Sequence, residues 1–323
     1  MKILITGANG FLGSAIVRQA LASGAPFHAT DRHGSPAVPG IAYDAWDITA
    51  ESAPINVSQG VTAVIHAAGL AHVFDRGQAE EAPFHSINVT GTVNMMNAAI
   101  AAGANHFVLI SSVSVYGPFT EGMYNEDAPC KPDGPYAISK YEAEARAREI
   151  AGRTGIGLTI LRLATLYGEG DPGNVGRLMR SLDRGRFIWI GKGSNRKSLL
   201  HKDDAARACL TAAMRPASGI NVYNVSAPPC TMREIVDGIS ETLGKYPFPL
   251  VVPASLGLFV SLSLSKIPNR RTSGLHQTIR KWLSEDIYDT RRFDETYNFK
   301  TGISLRDGLR REVDWYRNNG IAD

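Results

Sequence analysis

Residues 2–22 run KILIT-GANGFLG-SAIVRQALA, and no other stretch constrains the fold as strongly. A short, mostly apolar, β-capable run is followed by Gly7, Gly10 and Gly13, with Leu12, Ile16 and Ala20 at helical spacing. That order predicts a strand, a tight glycine turn and a helix. Glycine opens backbone torsions closed to other residues. It also lets main-chain N–H groups approach a pyrophosphate at the positive end of a helix. The spacing is Gly-x-x-Gly-x-x-Gly rather than Gly-x-Gly-x-x-Gly. Its position between a strand and a helix still points to a dinucleotide site.

The chain after this turn keeps alternating. A second strand is expected over residues 27–30, ending at Asp31. A carboxylate about twenty residues past the glycines can accept both ribose hydroxyls of an adenosine and repels a 2′-phosphate, which favours NAD over NADP. Arg32 follows directly and works against that preference, because an arginine there can contact such a phosphate. Residues 41–43 suit a short third strand, with Asp47 and Ile48 in the loop beyond. Residues 61–67 read as a buried strand running into Ala68-Gly69, small residues against which a cofactor can lie. A helix is expected over residues 84–102, with Asn88 inside it and Gly103 as its stop. Residues 107–110 form a strand that delivers Ser111-Ser112, residues 136–151 a helix, and residues 158–161 a further strand.

Strands that alternate with helices and are continuously apolar imply a parallel sheet covered on both faces. The expected fold is therefore α/β, a Rossmann-type doubly wound sheet. Regularity fades after Tyr167-Gly168. Helices are expected over 203–214 and 305–316, and a late strand over 220–225. Thr231 with Glu234 three residues on predicts a capping box. We read residues 1–167 as the nucleotide-binding domain, with about 195–228 returning to it. Residues 168–323 read as a smaller α/β substrate domain over the carboxyl ends of the strands.

Composition narrows the function. Hydrophobic content of 44% and charged content of 20% fit a globular protein. The net charge of +3, with the pairs Arg270-Arg271, Arg291-Arg292 and Arg310-Arg311 spread along the chain, argues against a nucleic-acid face. The cysteines Cys130, Cys209 and Cys230 are too few for a disulfide framework and suit a reducing compartment. No Cys/His pair has zinc-ligand spacing, so no metal is expected. The start runs straight into a strand, so we expect no signal peptide and a cytoplasmic protein. Residues 248–265, FPLVVPASLGLFVSLSLS, are the most lipid-like. Their prolines and serines suit a helix over an apolar pocket better than a membrane span; peripheral membrane contact stays open.

Tyr136 and Lys140 are four apart on an expected helix, so their side chains share a face. A phenol titrates near pH 10, and both an adjacent ammonium and an oxidised nicotinamide favour the phenolate. A drop of roughly three units would make Tyr136 a usable base near neutral pH. Ser112, at a strand end, can hydrogen-bond the same substrate oxygen. The three suit hydride exchange between an alcohol carbon and a nicotinamide.

The order of these features resembles the extended short-chain dehydrogenase/reductase family, in its NAD-dependent epimerase/dehydratase branch. The similar stretches are TGANGFLG (6–13), HAAG (66–69), NVTGT (88–92), SSVSVYG (111–117), YAISK (136–140), LRLATLYG (161–168), RKSLLHKDDAARA (196–208) and the tail from residue 286. The resemblance implies that Ser112, Tyr136 and Lys140 are catalytic, with Lys140 also on the nicotinamide ribose. It implies that Gly7, Gly10, Phe11, Leu12 and Gly13 hold the pyrophosphate and Asp31 the adenosine ribose. Asp47 and Ile48 would meet the adenine, and Ala67, Ala68 and Gly69 would run along the cofactor. Substrates of the branch are usually nucleotide-diphosphate sugars, for which Asn174 and Arg196 are the matching positions; an arginine can take a diphosphate bidentately.

The departures are informative. Branch 4,6-dehydratases place Asp-Glu directly after the Ser/Thr; here Val113 and Ser114 stand there, which argues against dehydration. Thr165 occupies the place of an asparagine in many sugar epimerases. His72 lies in a loop that often faces substrate. The leading expectation is a UDP-hexose 4-epimerase, acting through a transient 4-keto sugar, and a homodimer through helices of which the Tyr136 helix is a candidate. A nucleotide 4-keto-sugar reductase of surface-polysaccharide synthesis is the alternative. A hydroxysteroid dehydrogenase, with residues 248–264 lining an apolar pocket, and an NAD(P)-sensing regulator follow behind.

Overall fold

A computed structural model describes residues 1–33, 36–50, 60–71, 81–118, 122–265 and 275–319. The strands in chain order are β1 (Ile3–Thr6), β2 (Phe27–Asp31), β3 (Tyr43–Ala45), β4 (Ala63–His66), β5 (His106–Ser112), β6 (Met123–Tyr124), β7 (Gly157–Leu163), β8 (Thr165–Tyr167), β9 (Trp189–Ile190), β10 (Arg196–Lys197), β11 (Leu199–His201), β12 (Ile220–Val225), β13 (Cys230–Thr231), β14 (Val251–Val252) and β15 (Ile287–Tyr288). The helices are α1 (Phe11–Ser23), α2 (Glu81–Phe84), α3 (Gly91–Ala101), α4 (Pro135–Thr154), α5 (Asn174–Asp183), α6 (Lys202–Met214), α7 (Met232–Leu243), α8 (Ala254–Ser265), α9 (Leu275–Leu283), α10 (Arg291–Tyr297) and α11 (Leu305–Asn319).

Seven strands form one parallel sheet in the order β12-β7-β5-β4-β1-β2-β3. The expected doubly wound Rossmann-type sheet is therefore the architecture. Its strands carry side chains alternately to two cores. Ile3 and Ile5 go to the side covered by α1 and α6, with Ile16, Val17 and Ala205. Leu4, Val64 and Phe107 go to the other side, with Met95, Met96 and Ile150 of α3 and α4. Chain order reverses between β1 and β4, so the crevice at their carboxyl ends is where such sheets take a ligand. Thr6 and His66, paired in register at those ends, are joined by a 2.8 Å bond between Oγ1 and Nδ1.

The third strand forms at Tyr43–Ala45, two residues later than its apolar run suggested, because pairing fixes it: Ala29 meets Tyr43 and Asp31 meets Ala45. The helix around Asn88 is not uniform; a π-helical stretch, His85–Thr90, joins α2 to α3. The capping box forms between Thr231 and Glu234. A third core gathers Val175, Met179, Trp189, Ile235, Val236 and Val313 from α5, β9, α7 and α11.

Helix α8 departs from expectation. Leu256, Phe259, Val260 and Leu262 lie on its surface, as does Phe248 before it, so these side chains do not line an apolar pocket. That removes the basis for a steroid site. No helix among the described residues is long and apolar enough to cross a membrane.

Candidate active site

The glycine turn is built as tightly as its sequence implied. Gly7 has φ +65°, and a β-carbon on it would stand 2.6 Å from the Ala68 main chain. A β-carbon on Gly13 would stand 1.9 Å from the Gly7 carbonyl oxygen. Both positions are closed to larger residues, and the end of β4 rests directly on the turn. Gly10 is the N-cap of α1 and no side chain caps that end. The first-turn N–H groups, those of Phe11, Leu12 and Gly13, are thus presented to an anion. The Leu12 side chain is buried in the core, so only its main chain is available.

Asp31 sits at the end of β2, and its carboxylate accepts the Asn9 N–H at 3.0 Å. Asn9 also donates to the His33 carbonyl at 3.0 Å and accepts from the Ala37 N–H at 2.7 Å. It thereby ties the glycine turn to the loop beyond β2. Sequence reasoning passed over Asn9; its signal was an amide inside a glycine turn. The Arg32 guanidinium reaches the His33 ring instead of Asp31. Asp47 accepts the N–H and hydroxyl of Thr49. Ile48 is buried, and the room left by Gly91 receives its side chain, so Ile48 could meet a ligand only through its backbone.

At the carboxyl end of β5, the Ser112 hydroxyl lies near the Tyr136 phenol and favours its ionised form. Ser112 Oγ also accepts the Ser114 N–H at 3.1 Å, capping a short 3₁₀ turn, Val113–Tyr116. Lys140 is one turn along α4 from Tyr136, buried, with Nζ donating to the Ile110 carbonyl at 2.8 Å. A β-carbon on Gly69 would lie 3.2 Å from that Nζ and 3.1 Å from Asn88 Oδ1. The glycine turn, the β4 end, Lys140 and the Ser112–Tyr136 pair are therefore contiguous.

Asn88 holds this arrangement. Its amide accepts from the Leu70 N–H at 2.8 Å and donates to the Leu70 carbonyl at 3.0 Å and to Ser139 Oγ at 2.9 Å. It thus fixes the loop past Gly69 to the first turn of α4. It belongs to the NVTGT stretch but had been given no role. One turn beyond Lys140, Glu144 is fully buried and takes Arg162 bidentately, at 3.0 and 2.7 Å, together with Ser111 at 2.5 Å and Arg148 at 2.9 Å. Such a pair sets the register of α4 against β5 and β7.

Burial pushes the Tyr136 phenol above its ordinary value, and the neighbouring Ser112 hydroxyl pulls it only partly back. Burial brings Lys140 down to about 8, against the opposing charge of Glu144. The lysine ammonium alone does not acidify the phenol in this state; its hydrogen bond goes to the Ile110 carbonyl. Burial, with the Lys140 charge, holds His66 down at about 3, so it is neutral at physiological pH.

The remaining sequence candidates that are described have partners of their own. Thr165 is half-buried and pairs in register with Leu199. Asn174 is exposed at the start of α5 and accepts from Arg177 at 2.5 Å. Arg196 is exposed and meets Glu285 at 3.4 Å. His72 lies outside the described residues. Glu169, His201 and Asp203 bring possible metal-binding atoms within 4.8 Å of one another. Lys202 and Arg311 already neutralise their carboxylates, at 3.2 Å and 2.6 Å.

Residues 3–226 match the NAD dependent epimerase/dehydratase family. The chain belongs to that family. It is an enzyme family dependent on NAD. The chain is 29% identical to the UDP-glucose 4-epimerase of Vibrio cholerae, over 96% of this chain and 93% of the relative. It is 27% identical to the N-acetyl-alpha-D-glucosaminyl-diphospho-ditrans,octacis-undecaprenol 4-epimerase of Escherichia coli O157:H7, over 97% and 95%. Among solved structures it superposes on MoeE5 in complex with UDP-glucose and NAD, with a TM-score of 0.77, 26% identity and 99% coverage of both chains.

Proposed function

We propose that the protein is a 4-epimerase of a nucleotide-diphosphate hexose, with a UDP-hexose the leading substrate. The observation that carries this reading is the contiguity of the Ser112–Tyr136 pair, Lys140 and the glycine turn, with Val113 and Ser114 in the two positions that follow the serine. Neither has an acid–base side chain, so a proton cannot be removed and another delivered there as dehydration to a 4-keto-6-deoxy sugar requires. The 4-epimerase relatives and the UDP-glucose in the MoeE5 complex support the same choice.

The residues fit an NAD molecule. The uncapped start of α1 would take the pyrophosphate, Asp31 the adenosine ribose, and Lys140, beside Gly69, the nicotinamide ribose. Bound NAD supplies a hydride acceptor and donor at the sugar carbinol and, when oxidised, a positive charge. Tyr136 takes the proton from the C4 hydroxyl and later returns it to the same oxygen. Ser112 hydrogen-bonds that oxygen and orients it. Lys140 adds a fixed cation from below. Because burial opposes the phenolate, Tyr136 becomes a base only with the oxidised cofactor present, which couples proton removal to a loaded site. Asn174, Arg196, Thr165 and His72 are proposed for the sugar nucleotide, and Asn174 and Arg196 would have to leave Arg177 and Glu285 to serve.

The test incubates the protein and NAD with C4-deuterated UDP-glucose and UDP-N-acetylglucosamine. Formation of the C4 epimer with its deuterium retained supports the reading. Stoichiometric loss of NADH or NADPH on a 4-keto sugar, without epimer, replaces it with the reductase.

A further inference from the structure

The strongest unexplained feature lies away from the Tyr136 site. Helix α8 is apolar along its length, yet it is only half covered. Gly257 and Ser261, four apart and both buried, form the seated face. A β-carbon on Gly257 would stand 2.7 Å from the Ile190 side chain, so the helix rests closely on β9. The opposite face carries Leu256, Phe259, Val260 and Leu262. Phe259 is 69% exposed, and Tyr246 and Phe248 just before the helix are each 72% exposed. A continuous apolar patch of this kind marks a binding surface.

Two of the serines spend their hydroxyls within the protein. Ser263 Oγ donates to the Phe259 carbonyl at 3.0 Å, and Ser261 Oγ donates to the Leu258 carbonyl at 2.9 Å and meets His276 Nδ1 at 3.0 Å. Hydroxyls bonded back to their own helix need no water.

The charge around the patch has one sign. The described residues of two stretches, 184–201 and 245–283, hold eight Lys and Arg and no Asp or Glu, in a chain whose net charge is only +3. The two stretches are one region. β9 pairs with β14, α9 packs on α8, and Trp282 Nε1 donates to the Ile190 carbonyl at 3.2 Å. Lys245, Arg196 and Lys197 meet Asp183, Glu285 and Asp286 from outside the two stretches; Arg186 and Lys192 are exposed within them.

We propose that this region docks the enzyme on an anionic lipid bilayer, with α8 lying in the headgroup–acyl boundary and the surrounding cations on the lipid phosphates. An apolar face ringed by Lys and Arg is the composition of an interfacial helix. Its twelve residues fall well short of the roughly twenty needed to span a bilayer, so contact is with one leaflet. A second copy of the chain is the poorer occupant. A two-fold interface brings the same patch against itself, and that would oppose two surfaces rich in Lys and Arg.

The experiment is co-sedimentation of the full-length protein with vesicles of phosphatidylcholine alone or mixed with phosphatidylglycerol. The expected result is partition onto the mixed vesicles, weakening steeply with salt. The double variant Leu256→Glu/Phe259→Glu should lower it about tenfold or more, since each charge enters the interface. Arg186→Glu/Lys192→Glu, which leaves the apolar face intact, should also lower it about thirtyfold or more, the two cations being worth about 1 kcal/mol each near such a surface. NAD binding and melting temperature serve as fold controls. No partition of the parent protein onto mixed vesicles overturns the proposal. So does equal binding to neutral vesicles by the parent and the charge-reversed variant. A Leu256→Glu/Phe259→Glu variant that turns a dimer into a monomer by light scattering, from a parent that ignores vesicles, assigns the patch to a second copy.

Discussion

Helices α4 and α8 are both partly covered elements of one chain, built on opposite logic. Along the inner face of α4, the polar groups of Ser139, Lys140 and Glu144 are met by Asn88, the Ile110 carbonyl and Arg162. Helix α8 has only serines as polar groups, two of them bonded back to its own backbone, and presents large apolar side chains to the outside. The first is held in one orientation by directional bonds in a low-dielectric setting, where a misplaced partner is expensive. The second is seated through the close approach of Gly257 and a single described side-chain bond, Ser261 Oγ to His276 Nδ1. Position is what chemistry at Tyr136 needs; available area is what docking needs.

The largest expected effect breaks the α4 side at its reactive end. Tyr136→Phe should lower turnover by about 10²–10⁴-fold, the usual worth of a positioned acid–base group, while NAD binding measured by calorimetry is little changed. Near-normal turnover would remove Tyr136 from the chemistry. One turn along, Glu144→Ala should cost about 3–5 kcal/mol in urea unfolding, because Arg162 is left buried without its partner. A cost below about 1 kcal/mol would mean that α4 is not held by this pair. Asp31→Ala should weaken NAD by about tenfold to a hundredfold, the worth of hydrogen bonds to a charged group, and narrow any preference over NADP. Unchanged affinity for both would sever Asp31 from the ribose.

The sheet beneath these residues gives a smaller, pH-dependent effect. Burial holds His66 at about 3 and His106 at about 4, below the ordinary value for histidine of 6.5. The unfolded chain therefore binds more protons than the folded one between those values. Stability is full above pH 6.5 and falls as pH drops, by about 1.4 kcal/mol per unit for each histidine. Ring resonances of either residue that titrate above pH 5.5 would contradict this. The smallest effect belongs to α8: Phe259→Ser should change unfolding free energy by no more than about 0.5 kcal/mol, as for an exposed site. A loss of several kcal/mol would show that the helix is packed after all and weaken the contrast with α4.

What the sequence revealed followed the range of the interactions involved. Gly7, Gly10 and Gly13, and Tyr136 with Lys140, are legible because one turn or one helical repeat sets their geometry. The alternation of apolar strands with helices made the parallel sheet legible in the same way. Asn9 and Asn88 were not assigned roles, because each acts by joining segments that only the fold brings together. Glu144 and Arg162 likewise gain meaning from a pairing across α4 and β7. Helix α8 misled for a different reason. An apolar run reads as buried, and nothing within it says whether other parts of the chain suffice to cover it. The phenol of Tyr136 was legible only in part: spacing identified its neighbour Lys140 but not the burial that holds the phenol above its ordinary value.

The closeness of Gly7 to Ala68 has a consequence for how such an enzyme could change coenzyme. Where Gly7 meets Ala68, the floor of the crevice is main chain pressed on main chain. Retargeting the adenosine end must therefore be negotiated at its rim, around Asp31, Arg32 and the loop that Asn9 fastens. A new coenzyme would be recruited by editing that border, while the centre of the sheet stays untouched.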